Sequence, residues 1–123
     1  MRRDVIDRQV ELMRKTGLDA ILSSSPENFT YVTGFPSPTQ HLMRWRHAMA
    51  LVKADGTVAL LAVDMEASTI RAKAPDTEVA VWKEFQFDAM TVLADLLSRH
   101  GLAKARIGIE TDYLPAGDFQ QIV

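Results

Sequence analysis

The sequence predicts an α/β fold, a mixed sheet flanked by helices in a three-layer-like arrangement. Stretches with helical apolar spacing alternate with short apolar runs of strand length. Two of those runs, Ala48 to Val52 and Val58 to Val63, are joined by Lys53-Ala54-Asp55-Gly56-Thr57, whose Asp-Gly pair marks a hairpin turn. A hairpin inside an alternating α/β order makes the sheet mixed rather than purely parallel.

Each element has its own justification. Asp4 to Thr16 carries Val5, Ile6, Val10, Leu12 and Met13 at helical spacing, with Asp4 and Asp7 near the positive end. Arg14 and Lys15 fall in the last turn and Gly17 suits the residue beyond it. Ala20-Ile21-Leu22 reads as a short buried strand. Ser25 then caps a short helix with Pro26 in its first position, running through Tyr31 and Val32 to stop at Gly34. Phe29, Tyr31 and Val32 are expected to pack on the sheet or a neighbouring domain. Pro36-Ser37-Pro38-Thr39-Gln40 is a loop by composition. After the hairpin, Asp64 caps a helix carrying Met65, Ala67 and Ile70, ended by Pro75. Glu78 to Trp82 is a strand, and Asp88 caps a helix whose Ala89, Leu93, Leu96 and Leu97 share a face before Gly101. Arg106 to Glu110 is the last strand. Leu114 to Val123 opens like a helix, with Pro115 near its start, then stops on apolar residues without a cap. The expectation is that the chain is cut inside an element, at a domain boundary.

Bulk properties exclude several classes of function. A chain of 123 residues forms one domain, and one of that size buries roughly 65% of its unfolded surface, enough for a core without staples. The net charge of −2 gives no electrostatic reason for a nucleic-acid partner or an anionic membrane. The absence of cysteine removes disulfides and thiolate metal sites, and fits a cytoplasmic location. The N-terminal stretch MRRDVIDRQVELMRK has no apolar core of a signal peptide, and no run reaches the length of a membrane span.

Motifs that carry chemistry are scarce. His41, His47 and His100 lack metal-binding spacing, and read as a loop residue, a strand-edge residue and a helix C-terminal cation. Ser23-Ser24-Ser25 lacks the nucleophile-elbow pattern, and there is no glycine-rich phosphate loop. Asp64 with Glu66, and Glu110 with Asp112, are carboxylate pairs for which capping and solvation suffice. One cluster stands out: His41-Leu42-Met43-Arg44-Trp45-Arg46-His47, at the approach to a strand. Arginine takes carboxylates bidentately and tryptophan supplies an apolar wall, so the cluster suits a substrate-capping edge or a subunit interface. A strand edge protected by charge explains it equally well. Both readings stay open on the residues alone.

Four motifs in order carry a family resemblance. Gly17-Leu18-Asp19-Ala20, the stretch Pro26-Glu27-Asn28-Phe29-Thr30-Tyr31-Val32-Thr33-Gly34-Phe35, the hairpin Leu51 to Leu61, and Gly108-Ile109-Glu110 followed by Leu114-Pro115 resemble the N-terminal domain of the creatinase/prolidase/aminopeptidase P family. The resemblance covers nearly the whole chain and implies a ribonuclease-H-like α/β fold. It implies that residues 1–123 are the non-catalytic N-terminal domain of an Xaa-Pro peptidase-like hydrolase. The catalytic "pita-bread" domain is then expected after residue 123, with two Asp, one His and two Glu holding a divalent metal pair of Mn, Co or Zn. No catalytic residue and no metal ligand is implied within this chain.

The implied partners are the chain's own C-terminal catalytic domain, a second copy in a homodimer, and a small-molecule or dipeptide substrate bearing a carboxylate. In such enzymes the N-terminal domain helps close the active site, which turns Arg46, Trp45, Arg44, His47 and His41 into a substrate-gating or interface zone led by Arg46. A metal-independent creatinase-like amidinohydrolase, or a stand-alone binding or scaffold domain, are the alternatives.

Overall fold

A computed structural model describes residues 1–43, 46–84, 88–110, 112–114 and 117–118, with the side chains of residues 41 and 42 outside the description. The element order is α1 (Arg3–Thr16), β1 (Ala20–Ser23), α2 (Pro26–Thr33), α3 (Pro38–Leu42), β2 (Met49–Lys53), β3 (Val58–Val63), α4 (Asp64–Lys73), β4 (Glu78–Trp82), α5 (Ala89–Arg99) and β5 (Ile107–Gly108). The five strands form one sheet in the order β4-β3-β2-β1-β5. The central joints β1–β2 and β2–β3 are antiparallel, and the outer joints β3–β4 and β1–β5 are parallel. The predicted mixed sheet and three-layer arrangement are what the chain adopts.

Strand alternation splits the core in two. Met49 and Leu51 of β2 join Ala59, Leu61 and Val63 of β3 against Met90, Leu93, Leu96 and Leu97 of α5. Ala50 and Val52 join Leu60 and Ala62 on the other face, under Val5, Ile6 and Met13 of α1, Phe29 and Val32 of α2, and Ile70 of α4. A side-chain period of two is the cause: each fully apolar strand feeds both faces at once.

Local capping sets most helix boundaries. The Ser25 side chain accepts from the Asn28 N–H at 3.2 Å, and Asp88 Oδ1 accepts from the Met90 N–H at 3.0 Å. Gly34 closes α2 at φ 86°, donating its N–H to the Thr30 carbonyl.

Several expectations are corrected. The stretch read as a loop contains α3, because Glu66 of α4 supplies a cap that local composition cannot show: Thr39 N–H donates to Glu66 Oε1 at 2.9 Å, and the Ser37 hydroxyl donates to Oε2. His41 therefore lies on a helix by its backbone. Asp64 is the first residue of α4 rather than its cap, since β3 runs straight into the helix with Val63 at the cap position. As expected, that helix ends ahead of Pro75, at Lys73 with Ala74 as its C-cap. The last strand pairs only over Ile107–Gly108. Leu12, Tyr31 and Met65 are exposed by 50%, 45% and 50%, so none of them packs on the sheet. Tyr31 stands on the outer side of α2, where its hydroxyl accepts from Arg8 at 3.2 Å. Of the helix expected from Leu114 onward, residues 117 and 118 are helical, and Pro115, Ala116 and residues 119–123 lie outside the described residues.

Candidate functional site

Strand directions gather the polar chemistry at one end of the sheet. β1, β3, β4 and β5 end there, and antiparallel β2 begins there, as the pairs Ser23↔Ala50, Met49↔Leu61 and Val63↔Trp82 show. This carboxyl end is where open α/β sheets hold their ligand contacts. Ser24, Ser25, Arg46, His47, Glu84 and Glu110 all lie in the segments that leave or approach it.

Of the predicted zone, Arg46 and His47 are described and have different partners. Arg46 Nε stands 3.0 Å from Glu84 Oε2, and Nη2 donates to Oε1 at 3.2 Å. The side chains are 17% and 5% exposed, so this ion pair, which includes the Nη2–Oε1 hydrogen bond, is shielded from water. Arg46 Nη1 also reaches Met65 Sδ at 3.7 Å, under the exposed face of α4. His47 is buried; its Nε2 stands 3.1 Å from Asp118 Oδ2, while its carbonyl accepts from the Trp82 indole at 2.9 Å. Arg44 and Trp45 lie outside the described residues, as does the His41 side chain.

Of the two carboxylate pairs weighed as acid/base candidates, one member each, Glu66 and Glu110, caps an element distant in sequence. Glu66 is buried and serves α3. Glu110 accepts from Ser24 N–H at 2.6 Å, Ser25 N–H at 2.8 Å, the Ser25 hydroxyl at 2.7 Å, the Ser24 hydroxyl at 3.2 Å and Asn28 Nδ2 at 2.5 Å. Burial works to raise the Glu110 pKa, but the Ser25, Ser24 and Asn28 donors outweigh it and hold the carboxyl below its ordinary value. Sequence reasoning missed this contact. Its only local signal was a glutamate ending one apolar run and two serines ending another. His100, read as a helix C-terminal cation, follows α5 with Nε2 2.9 Å from Glu78 Oε1.

Among the described residues no three His, Asp or Glu side chains gather as a metal site requires. Glu66 and Glu110 accept hydrogen bonds from chain amides and hydroxyls. These donor sets do not fit a metal pair. A shallow groove lined by Met1, Arg2, Thr33, Gly34, Phe35 and Lys73 includes no residue of the Arg46 zone. Among the described residues no helix is long and apolar enough to cross a membrane.

The family model of the Creatinase/Prolidase N-terminal domain matches residues 6–123. The chain belongs to that family. Its fold is shared with the N-terminal domain of the Xaa-Pro dipeptidase from Lactobacillus brevis, at TM-score 0.78 and 17% identity over 95% of this chain and 84% of that one. The corresponding domain of the X-Pro dipeptidase from Streptococcus pyogenes aligns at TM-score 0.77 and 19% identity, over 98% and 86%. The dipeptidase from Pyrococcus horikoshii OT3 is 25% identical at TM-score 0.74, over 99% of this chain and 31% of that one. The creatinase N-terminal domain therefore spans under a third of that longer dipeptidase. No curated protein matches the chain.

Proposed function

We propose that this chain is the non-catalytic N-terminal domain of a prolidase- or aminopeptidase-P-type hydrolase. It makes oligomer contacts and helps close an active site over a small substrate bearing a carboxylate. The chemistry belongs to a catalytic domain after residue 123, with its own divalent metal pair, in a cytoplasmic homodimer. The observation that carries the reading is the Arg46–Glu84 pair at the carboxyl end of the sheet. A guanidinium held against a buried carboxylate is restricted in orientation, which recognition of a planar carboxylate demands. Exposed Met65 and Met43 lie next to it in space and in sequence, giving the edge an apolar rim.

The test uses the longer gene product that contains this domain. Arg46→Ala is expected to lower kcat/KM on Xaa-Pro dipeptides about ten- to a hundredfold, with metal content unchanged. The isolated 123-residue chain is expected to hydrolyse neither Xaa-Pro dipeptides nor creatine. Unaltered kinetics in the variant would reduce Arg46 to a structural pair. Turnover by the purified, chelator-treated chain would overturn the assignment.

A further inference from the structure

The five donors on Glu110 are one half of a longer connection. Its carboxylate takes the Ser25 N–H at 2.8 Å, and the Ser24 carbonyl of that same peptide unit accepts from Gln40 Nε2 of α3 at 2.7 Å. Ser24 and Gln40 are 1% and 2% exposed, so the second bond forms away from water and the first is partly shielded. Hydrogen bonds in series through one peptide unit polarise and orient each other in such surroundings. The Ser25 hydroxyl adds a branch: it donates to Glu110 Oε1, so its lone pair faces the Asn28 N–H it caps at 3.2 Å.

Three short elements meet at these contacts. β5 pairs with β1 over two residues only, α2 has eight residues and α3 has five. None of these lengths is self-sustaining, since a helix under about a dozen residues is marginal without tertiary support. α3 leads directly into the Arg46–His47 zone, through Met43 N–H on the Thr39 carbonyl and Arg46 N–H on the Met43 carbonyl.

We infer that Glu110 is a positioning residue that sets α3, and with it the approach to Arg46, through Ser24 and Gln40. This coupling lies within the domain itself, whatever reaction a longer protein containing it performs. Glu110 aligns the Ser24–Ser25 peptide through the Ser25 N–H; that peptide's carbonyl holds the Gln40 amide; the amide fixes the inner side of α3. A glutamate acting only as a cap of α2 would leave α3 indifferent to its loss.

The experiment is amide hydrogen exchange by NMR on the folded 123-residue chain, comparing wild type with Glu110→Gln and Gln40→Ala. In Glu110→Gln, the Ser24 and Ser25 amides and the Met43 amide of α3 should all exchange about ten times faster or more. The Ala50 and Leu60 amides of the β2–β3 ladder should keep their wild-type rates. Gln40→Ala should accelerate Met43 and leave Ser24 and Ser25 protected, because Glu110 still accepts from them. In the double variant Met43 should exchange no faster than in Gln40→Ala, since both changes cut one path. Acceleration confined to Ser24 and Ser25 in Glu110→Gln would make Glu110 a local cap and overturn the inference. Equal acceleration of the β2–β3 ladder would also overturn it, leaving a contribution to global stability alone. If Glu110→Gln does not fold, Glu110→Asp, which draws the carboxylate back by one methylene, must show the same selective pattern more weakly.

Discussion

Arg46 and Glu84 close an ion pair, 3.0 Å at its shorter side, between the approach to β2 and the end of β4. Glu84 is the more deeply buried member, so the pair is asymmetric. Removing the arginine strands a carboxylate without solvent, whereas removing the charge of Glu84 leaves an arginine with some access to water. Arg46→Ala is therefore expected to destabilise the domain by about 3 kcal/mol, and Glu84→Gln by less. Urea unfolding of both variants checks this; equal small effects would mean that water already reaches Glu84.

Glu110 gives the domain an acid-sensitive contribution. Its folded pKa is depressed from 4.5, so the stabilisation is present above that value and is lost as pH falls through the lower folded one. Wild-type stability should drop from about pH 4.5 downward more steeply than that of Glu110→Gln. Parallel pH profiles of the two would show that the Ser24, Ser25 and Asn28 donors do not favour the ionised form.

Phe29 tests the reading of α2. It is fully buried and meets Phe35 edge-on with ring centroids 6.0 Å apart. Phe29→Ala should cost about 3–5 kcal/mol through the cavity it leaves. Leu12→Ala, at a position half exposed on α1, should stay within about 0.5 kcal/mol. Thermal or urea denaturation separates the two.

Gly34 ends α2 at φ 86°, and a Cβ there would meet the Arg2 side chain at ordinary contact distance, Cγ at 3.5 Å and Cδ at 3.8 Å. The space is adequate, so the cost of Gly34→Ala comes from the backbone, about 1–2 kcal/mol. A neutral substitution in denaturation experiments would require the left-handed cap to have moved.

The residues that sequence alone placed correctly act on their neighbours. Ser25 and Asp88 cap the helices that begin beside them, Gly17 and Gly34 end helices within a turn, and the apolar runs of β2 and β3 face both layers. A cap needs only a side chain within reach of the next turn, and alternation needs only the strand's period, so both are written locally. The family, too, was legible, because its motifs sit on these same turns and strand ends.

Only the tertiary structure decided where the carboxylates go. Glu66 makes a helix out of a proline-rich stretch 27 to 29 residues earlier, Glu110 reaches back 82 to 86 residues, and Arg46 finds Glu84 38 residues on. Each of these carboxylates could equally have faced solvent or served its own element. The choice depends on which segments the strand order brings to the carboxyl end of the sheet, and the local sequence does not contain that order.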